Sequence, residues 1–293
     1  MFCATVLCIL LPVALAVSLF VRSIPVLERV PVTTLLTSSD WAPSKGQFGF
    51  LPYVVGSVWV TVLAMVLATP LCLLTAVYIS EYAPDMVRTL FKPVVDVLAG
   101  IPSVVYGLWG IIAIVPIVAA VGPHVGKYLG FVPGLSATGF VSGDCILSGA
   151  VVLAIMVAPV IISVAIEVLD TVPIELREAA LSLGATRWQA VKHVVVRKSA
   201  GGLAAAVVLG FARVFGETMA VLMVVGNVPQ VPRSVFDAAY PLPALIANSY
   251  GEMMSIPLYD SALLMAALWL MAIVVTFHLG ARVLVWLLRR RVE

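Results

Sequence analysis

Two residues of opposite charge, Arg213 and Glu217, stand four apart in Phe211-Ala-Arg-Val-Phe-Gly-Glu-Thr-Met219, a stretch whose other members are mostly apolar. On a continuous helix that spacing places both on one face, within reach of each other. Arginine offers a rigid, permanently charged fork of donors that suits an oxyanion, and a nearby carboxylate offsets its charge so that the anion is not held permanently. The pair also fits a buried ion pair that fixes helix packing, although apolar replacements pack as well or better. Thr218 adds a hydroxyl, to the anion or to its own backbone. A second candidate is Gly100-Ile-Pro-Ser103. Pro102 removes a backbone donor and frees a carbonyl. The segment reads either as a kink that lets Gly100 and Gly107 approach a neighbouring helix, or as a half-helix start at Ser103 whose N–H groups face an anion.

Enzymatic chemistry finds little foothold. His124, His193 and His278 lie in three separate regions, and HExxH, GxSxG and GxxxxGK[ST] do not occur. Any ATP must therefore be bound by another chain, and no cofactor is expected in this one. Cys3, Cys8, Cys72 and Cys145 lie far apart in apolar surroundings and read as small membrane residues.

The elements that must position these residues follow from composition. Of 293 residues, 62% are hydrophobic and 11% charged, and the mean hydropathy is +1.13. Soluble domains carry about 25% charged residues, so the chain is a multi-span membrane protein whose immediate solvent is the lipid bilayer. The net charge of +2 is too small to argue for nucleic acid. Uncharged stretches of about 20 residues predict transmembrane helices. Six emerge, near Phe2–Phe20, Tyr53–Ser80, Val94–Val121, Cys145–Leu169, Ala200–Val225 and Ser261–Leu288. The fold class is all-α, with the first helix and its loop in 1–50 and five further helices in 51–293.

Charge sets the expected orientation. If the N-terminus is inside, Arg88, Lys92, Arg177, Arg187, Lys192, Arg197, Lys198, Arg282, Arg289, Arg290 and Arg291 share one side. Arg22, Arg29, Lys45, Lys127 and Arg233 fall on the other. Both termini are then cytoplasmic. No basic residue precedes the first span, which leads us to expect a basic segment upstream of Met1; a signal-peptide pattern is not evident. The external loops are rich in Gly, Pro and Ser, and Pro243–Gly251 predicts a short helix lying at the membrane surface. Asp96 is expected at the cytoplasmic interface, and Tyr106 and Trp109 as ordinary packing aromatics.

The loop 170–199 is the most structured. Pro173 and Glu175 start one short helix, Gly184 ends it, and Thr186-Arg-Trp-Gln189 has capping-box spacing for a second. Leu176, Ala179, Ala180 and Leu183 recur at i, i+3, i+4 and i+7, a narrow apolar face. That face either packs on the chain's own spans or docks in a groove of a soluble partner.

Glu178-Ala-Ala180, three residues, then Gly184 resembles the EAA signature of ABC-importer permeases, whose coupling helix docks on an ATPase subunit. Val194 and Val196 match the pattern further on, while Arg197 stands where the family has Pro. Glu81-Tyr-Ala-Pro84, Leu98-Ala-Gly-Ile-Pro-Ser-Val-Val-Tyr-Gly107, Gly216-Glu-Thr-Met-Ala220 with Gly226-Asn227, and Ala244-Leu-Ile-Ala-Asn248 resemble the C-type permease of phosphate ABC importers. These ordered blocks cover the chain from about residue 50 onward. The resemblance implies a type I importer permease fold in the cytoplasmic membrane of a prokaryote. It implies a second homologous permease, two ATPase subunits and an extracytoplasmic phosphate-binding protein as partners. It places Arg213 and Glu217 in the translocation region and Glu178, Ala179, Ala180 and Gly184 at the ATPase; with Thr218, Pro102 and Ser103, taken from the residues themselves, the first two make up the expected phosphate path. A permease for another oxyanion or small polar solute would keep the coupling loop and change the lining. An ATPase-independent secondary transporter or a membrane-embedded assembly factor would have no use for the loop.

Overall fold

The structure, a computed structural model, describes residues 2–129, 134, 142–252, 256 and 258–290. Helices dominate: α1 (Phe2–Leu27), α2 (Val32–Thr37), α3 (Leu51–Glu81), α4 (Asp85–Gly100), α5 (Ser103–Trp109), α6 (Val115–Leu129) and α7 (Ile146–Asp170) come first. Then follow α8 (Ile174–Ser182), α9 (Arg187–Ala190), α10 (Val196–Phe215), α11 (Met219–Val224), α12 (Leu242–Ser249) and α13 (Tyr259–Arg290). A single two-residue ribbon, β1 (Trp41–Ala42) against β2 (Gln47–Phe48), is the only sheet among the described residues. π-helical turns at Gly110–Ile114 and Val191–Val195 join α5 to α6 and α9 to α10 without a break.

Among the described residues, six helical stretches are long and apolar enough to cross a membrane: Leu10–Leu27, Leu51–Glu81, Ser103–Tyr128, Ile146–Asp170, Arg187–Phe215 and Tyr259–Val283. The expected number stands, with three boundaries corrected. The first span runs on past Phe20, because Ile24, Pro25 and Val26 continue the apolar stretch and α1 packs along α13. The third is not continuous from Val94. α4 ends at Gly100, Ile101 is extended (φ −66°, ψ 130°), and Pro102, unable to donate, precedes the restart at Ser103. The fifth stops at Phe215, with Gly216 as its cap and Thr218 off the helix (φ −112°, ψ −57°) before the short α11.

The core forms around α3 and α7, whose small and branched residues interlock: Ala64, Ala68, Ala150, Leu153, Met156 and Val157 are almost completely buried. Close approach of α5 to α11 depends on absent side chains. A Cβ at Gly107 would lie 3.1 Å from the Cα of Ala220 and one at Gly110 2.7 Å from Val152 Cγ2. Gly100, by contrast, has nothing within 4 Å of such a Cβ. The close contact expected of both glycines therefore belongs to Gly107 alone. Gly110→Val should cost about 1–3 kcal/mol by overpacking, read as a lowered midpoint in thermal unfolding of the detergent-solubilised protein; an unchanged midpoint would contradict the packing described.

At the end of the bundle opposite Asp170, Trp41 meets Phe48, Phe50, Tyr53 and Tyr259 with ring centroids 5.2–6.3 Å apart, and Tyr53 meets Tyr240 at 5.3 Å. This aromatic cluster clasps the ribbon onto α3 and α13. The short helix expected near Pro243–Gly251 is α12, and one side of it is covered by the bundle: Leu242, Pro243, Ala244 and Leu245 are buried against α3 and α13. Ser57 Oγ accepts from Leu242 N at 2.8 Å and donates to Tyr53 O at 2.8 Å, so one hydroxyl ties α12 to α3. Much of the loop 130–141 lies outside the described residues.

Candidate functional site

α7 serves as a ruler of depth. Arg88, near the start of α4, pairs with Asp170 at one end of α7 (2.6 Å). Gly110 abuts Val152, and Gly210 abuts Ile161 and Val157. The break at Ile101-Pro102 and the break at Gly216-Glu217-Thr218 therefore both fall near the middle of α7, not at a membrane surface. A span beginning at Val94 would put Gly100–Ser103 near its first end; α4 instead climbs beside α7, with Val95 buried, before the chain breaks. Asp96 sits about one turn short of that break on an exposed face of α4, deeper than the interface expected for it. Irregular backbone at mid-depth is tolerated where it lines a cavity or is covered by protein, and broken helices at this depth are where transporters build sites.

The five residues predicted for the path lie at or beside these two breaks, but not in the predicted arrangement. Arg213 and Glu217 form no ion pair; among the described residues the ion pairs are Arg88–Asp170 and Arg177–Glu81. The i, i+4 argument assumed a helix through both, whereas α10 ends between them. Glu217 Oε1 instead accepts from the N–H groups of Met219 (3.2 Å) and Ala220 (3.3 Å), so the carboxylate caps the start of α11. Arg213 is exposed and reaches the carbonyl of Ala99 at 3.4 Å. That carbonyl and its neighbour at Leu98 belong to the last turn of α4; Pro102 has no N–H to give Leu98 O, which accepts instead from Ile101 N at 3.3 Å. Tyr106 Oη donates to Leu98 O at 2.9 Å, so Tyr106 is more than a packing aromatic. Thr218 Oγ1 donates to Gly216 O at 3.3 Å, the backbone alternative. Pro102 and Ser103 sit at the start of α5, Pro102 exposed and Ser103 half-buried.

An exposed guanidinium at this depth has one consequence. Facing hydrocarbon it would cost about 2.5–3.5 kcal/mol, so this face meets water or another protein surface. With Glu217 hydrogen-bonded to the α11 backbone, the guanidinium makes one long carbonyl contact among the described residues.

The loop between α7 and α10 also has the predicted construction. Gly184 ends α8 in the left-handed region (φ +86°), Ala185 N donates to Ala180 O at 3.2 Å, and Thr186 and Gln189 form a complete capping box. α8 buries no residue; Ile174, Leu176, Leu181 and Leu183 are all exposed, Leu183 by 89%. Within this chain that apolar face is left largely uncovered. Glu178 and Ala179 are exposed and Ala180 half-buried.

Sequence reasoning missed what anchors this loop. Glu81, the last residue of α3, is 9% exposed and accepts from Arg177 Nη2 at 2.7 Å and from Arg177 Nε at 3.1 and 3.2 Å. The same guanidinium donates to Val172 O (2.5 Å) and Leu169 O (3.2 Å) at the end of α7. Arg187 donates to the Glu81 carbonyl and lies 4.9 Å over the Tyr82 ring. Beside them Ser80 Oγ donates to Asp170 at 2.9 Å. Glu81 stood in a quoted motif, yet nothing local in the sequence ties it to an arginine 96 positions away.

The sequence model described as "Binding-protein-dependent transport system inner membrane component" matches residues 68–291. A phosphate transport system permease protein PstC of Mesorhizobium japonicum is 36% identical over 277 residues, 94% of this chain and 84% of that protein. A probable ABC transporter permease protein YqgH of Bacillus subtilis is 35% identical over 254 residues, 84% of this chain and 77% of that protein. Among solved structures, an inward-facing form of the MetNI methionine ABC transporter superposes with a TM-score of 0.54 at 18% identity, covering 80% of this chain and 93% of that one. The last likeness carries the fold alone: a type I permease bundle.

Proposed function

Since the chain belongs to the binding-protein-dependent transport system inner membrane component family, we propose that it is the C-type permease subunit of an ATP-driven phosphate importer. It is a multi-pass membrane protein and a transporter subunit, not an enzyme. Hydrolysis belongs to separate ATPase chains that dock on α8 from the cytoplasm. A second, homologous permease covers the face that exposes Arg213, and an extracytoplasmic phosphate-binding protein delivers the anion at the opposite end. The membrane is the cytoplasmic membrane of a prokaryote, with both termini inside.

The observation that carries this reading is the exposed guanidinium of Arg213 between two mid-depth helix breaks, in a chain similar over almost its whole length to phosphate permeases. Phosphate fits the fork of Arg213, with Ser103 and Thr218 at the adjoining helix starts able to turn hydroxyls toward it. Glu217 holds the start of α11 in place and keeps negative charge close by, so the anion is attracted but not trapped; conduction needs release as much as entry. Closure of the ATPase pair moves α8, and the helices rock between outward and inward access.

The exposed α8 also weighs against an ATPase-independent transporter, which would leave that surface without purpose. Liposomes containing this chain with its partners should accumulate labelled phosphate only with ATP. Unlabelled phosphate should compete for uptake, while sulfate and molybdate should not at equal concentration. Equal competition by sulfate would reassign the substrate to another oxyanion and leave the coupling reading intact.

A further inference from the structure

α8 buries no residue, while the second helix of the hairpin is seated on the bundle through Ala190, Val191 and Val195, all buried. α8 packs on that second helix, and among the described residues its side-chain hydrogen bonds to α3 and to the end of α7 all come from Arg177. Arg177 grips Glu81 with two nitrogens and the last carbonyls of α7 with two. Arg187, from the second helix, grips the Glu81 carbonyl. A single residue at the end of α3 thus receives an arginine from each arm of the hairpin, and the same guanidinium closes on α7. The cluster borders an open cleft of about 610 Å³ lined by Ser80, Glu81, Arg88, Asp170, Arg177 and Arg187. Contacts between charged groups beside water can tilt together without repacking a core, whereas an apolar seat has to be broken and remade.

We infer that Glu81, Arg177 and Arg187 are the joint through which motion of α8 is imposed on α3 and α7; they are positioning residues, which touch neither anion nor nucleotide. The inference rests on the importer reading. Arginine suits the task because its planar fork fixes direction as well as distance, which a lysine does not. Without the joint, α8 still presents its exposed face to an ATPase, and hydrolysis continues while the spans no longer follow.

The test compares wild type, Glu81→Gln and Arg177→Lys as complete complexes in liposomes, measuring labelled phosphate taken up per ATP hydrolysed. Coupling between sites is typically worth about 5- to 150-fold, so uptake per ATP should fall by about that range in Glu81→Gln and less in Arg177→Lys, with ATPase subunits bound in normal amount. A merely structural role would lower the yield of complex and leave the ratio in the remainder at the wild-type value; that result, or failure of both variants to assemble, overturns the inference. Spin labels on Ser182→Cys, exposed on α8 but off its apolar face, and on the exposed Val66→Cys of α3, with Cys3, Cys8, Cys72 and Cys145 replaced by Ala, provide a readout that does not depend on the substrate. Their distance should change with ATP in the wild-type background and not in Glu81→Gln. If wild type hydrolyses ATP and shows this distance change but takes up no phosphate, the substrate assignment fails and the joint stands. If the change persists in Glu81→Gln, the joint fails.

Discussion

Arg213→Gln should abolish ATP-dependent phosphate uptake while the complex assembles in normal amount. The side chain is exposed in the chain and makes one long contact to the carbonyl of Ala99, so its loss leaves little behind that is buried and unsatisfied. Folding should be unaffected. For a desolvated anion, by contrast, removing a charged hydrogen-bonding partner costs about 2–5 kcal/mol, which corresponds to about 30-fold to several thousand-fold in rate. Arg213→Lys should retain intermediate uptake, because a lysine keeps the charge and loses the fork. Glu217→Gln should behave differently from a simple loss of an ion pair. The amide oxygen can still accept from Met219 and Ala220, so the start of α11 keeps its cap while the negative charge disappears. Labelled-phosphate uptake in liposomes, normalised to assembled complex, checks all three; normal uptake by Arg213→Gln would sink the assignment of the anion site.

Ala180→Arg and Leu183→Asp should each leave the chain inserted and paired with its partner permease yet unable to retain ATPase subunits. Leu183 is 89% exposed, so Asp there disturbs nothing within the chain. In a docking groove a lost apolar anchor costs about 1.5–3 kcal/mol, tenfold to more than a hundredfold in affinity, and burying a charge in its place adds to that. Copurification of the ATPase should fall accordingly and ATP-driven uptake should drop to background. The contrast with Glu81→Gln is diagnostic: a change on the exposed face of α8 should detach the ATPase, whereas a change at the joint should leave it attached and idle. Unaltered copurification with either α8 variant would overturn the docking reading.

The two predicted sites differed in how much of them was local. The hairpin of α8 and α9 was legible because its parts are neighbours in the chain: a capping box spans four residues, Gly184 supplies a left-handed turn that a side chain would disfavour, and a helix face repeats every three or four positions. Whether that face was covered was not legible, because burial is a property of what arrives from elsewhere. The site around Arg213 was only half legible. Arginine, glutamate and proline within apolar stretches mark themselves by cost, but the i, i+4 pairing failed, since it presumed a helix through Gly216. Two weak helix positions on either side of Glu217, Gly216 and Thr218, ended it, and the carboxylate found backbone donors nearer than the guanidinium.

The membrane class, the number of spans, the coupling hairpin and the identity of the residues with intramembrane cost were determined by the sequence alone, because each depends on composition or on neighbours within about one or two helical turns. The tertiary structure alone decided the depth of the two breaks, the separation of Arg213 from Glu217, the burial of α12 and the grasp of Glu81 by Arg177 and Arg187. Those are distances between segments up to 185 positions apart, set by how glycine-smoothed helices pack together, and no periodicity in a single chain segment encodes them.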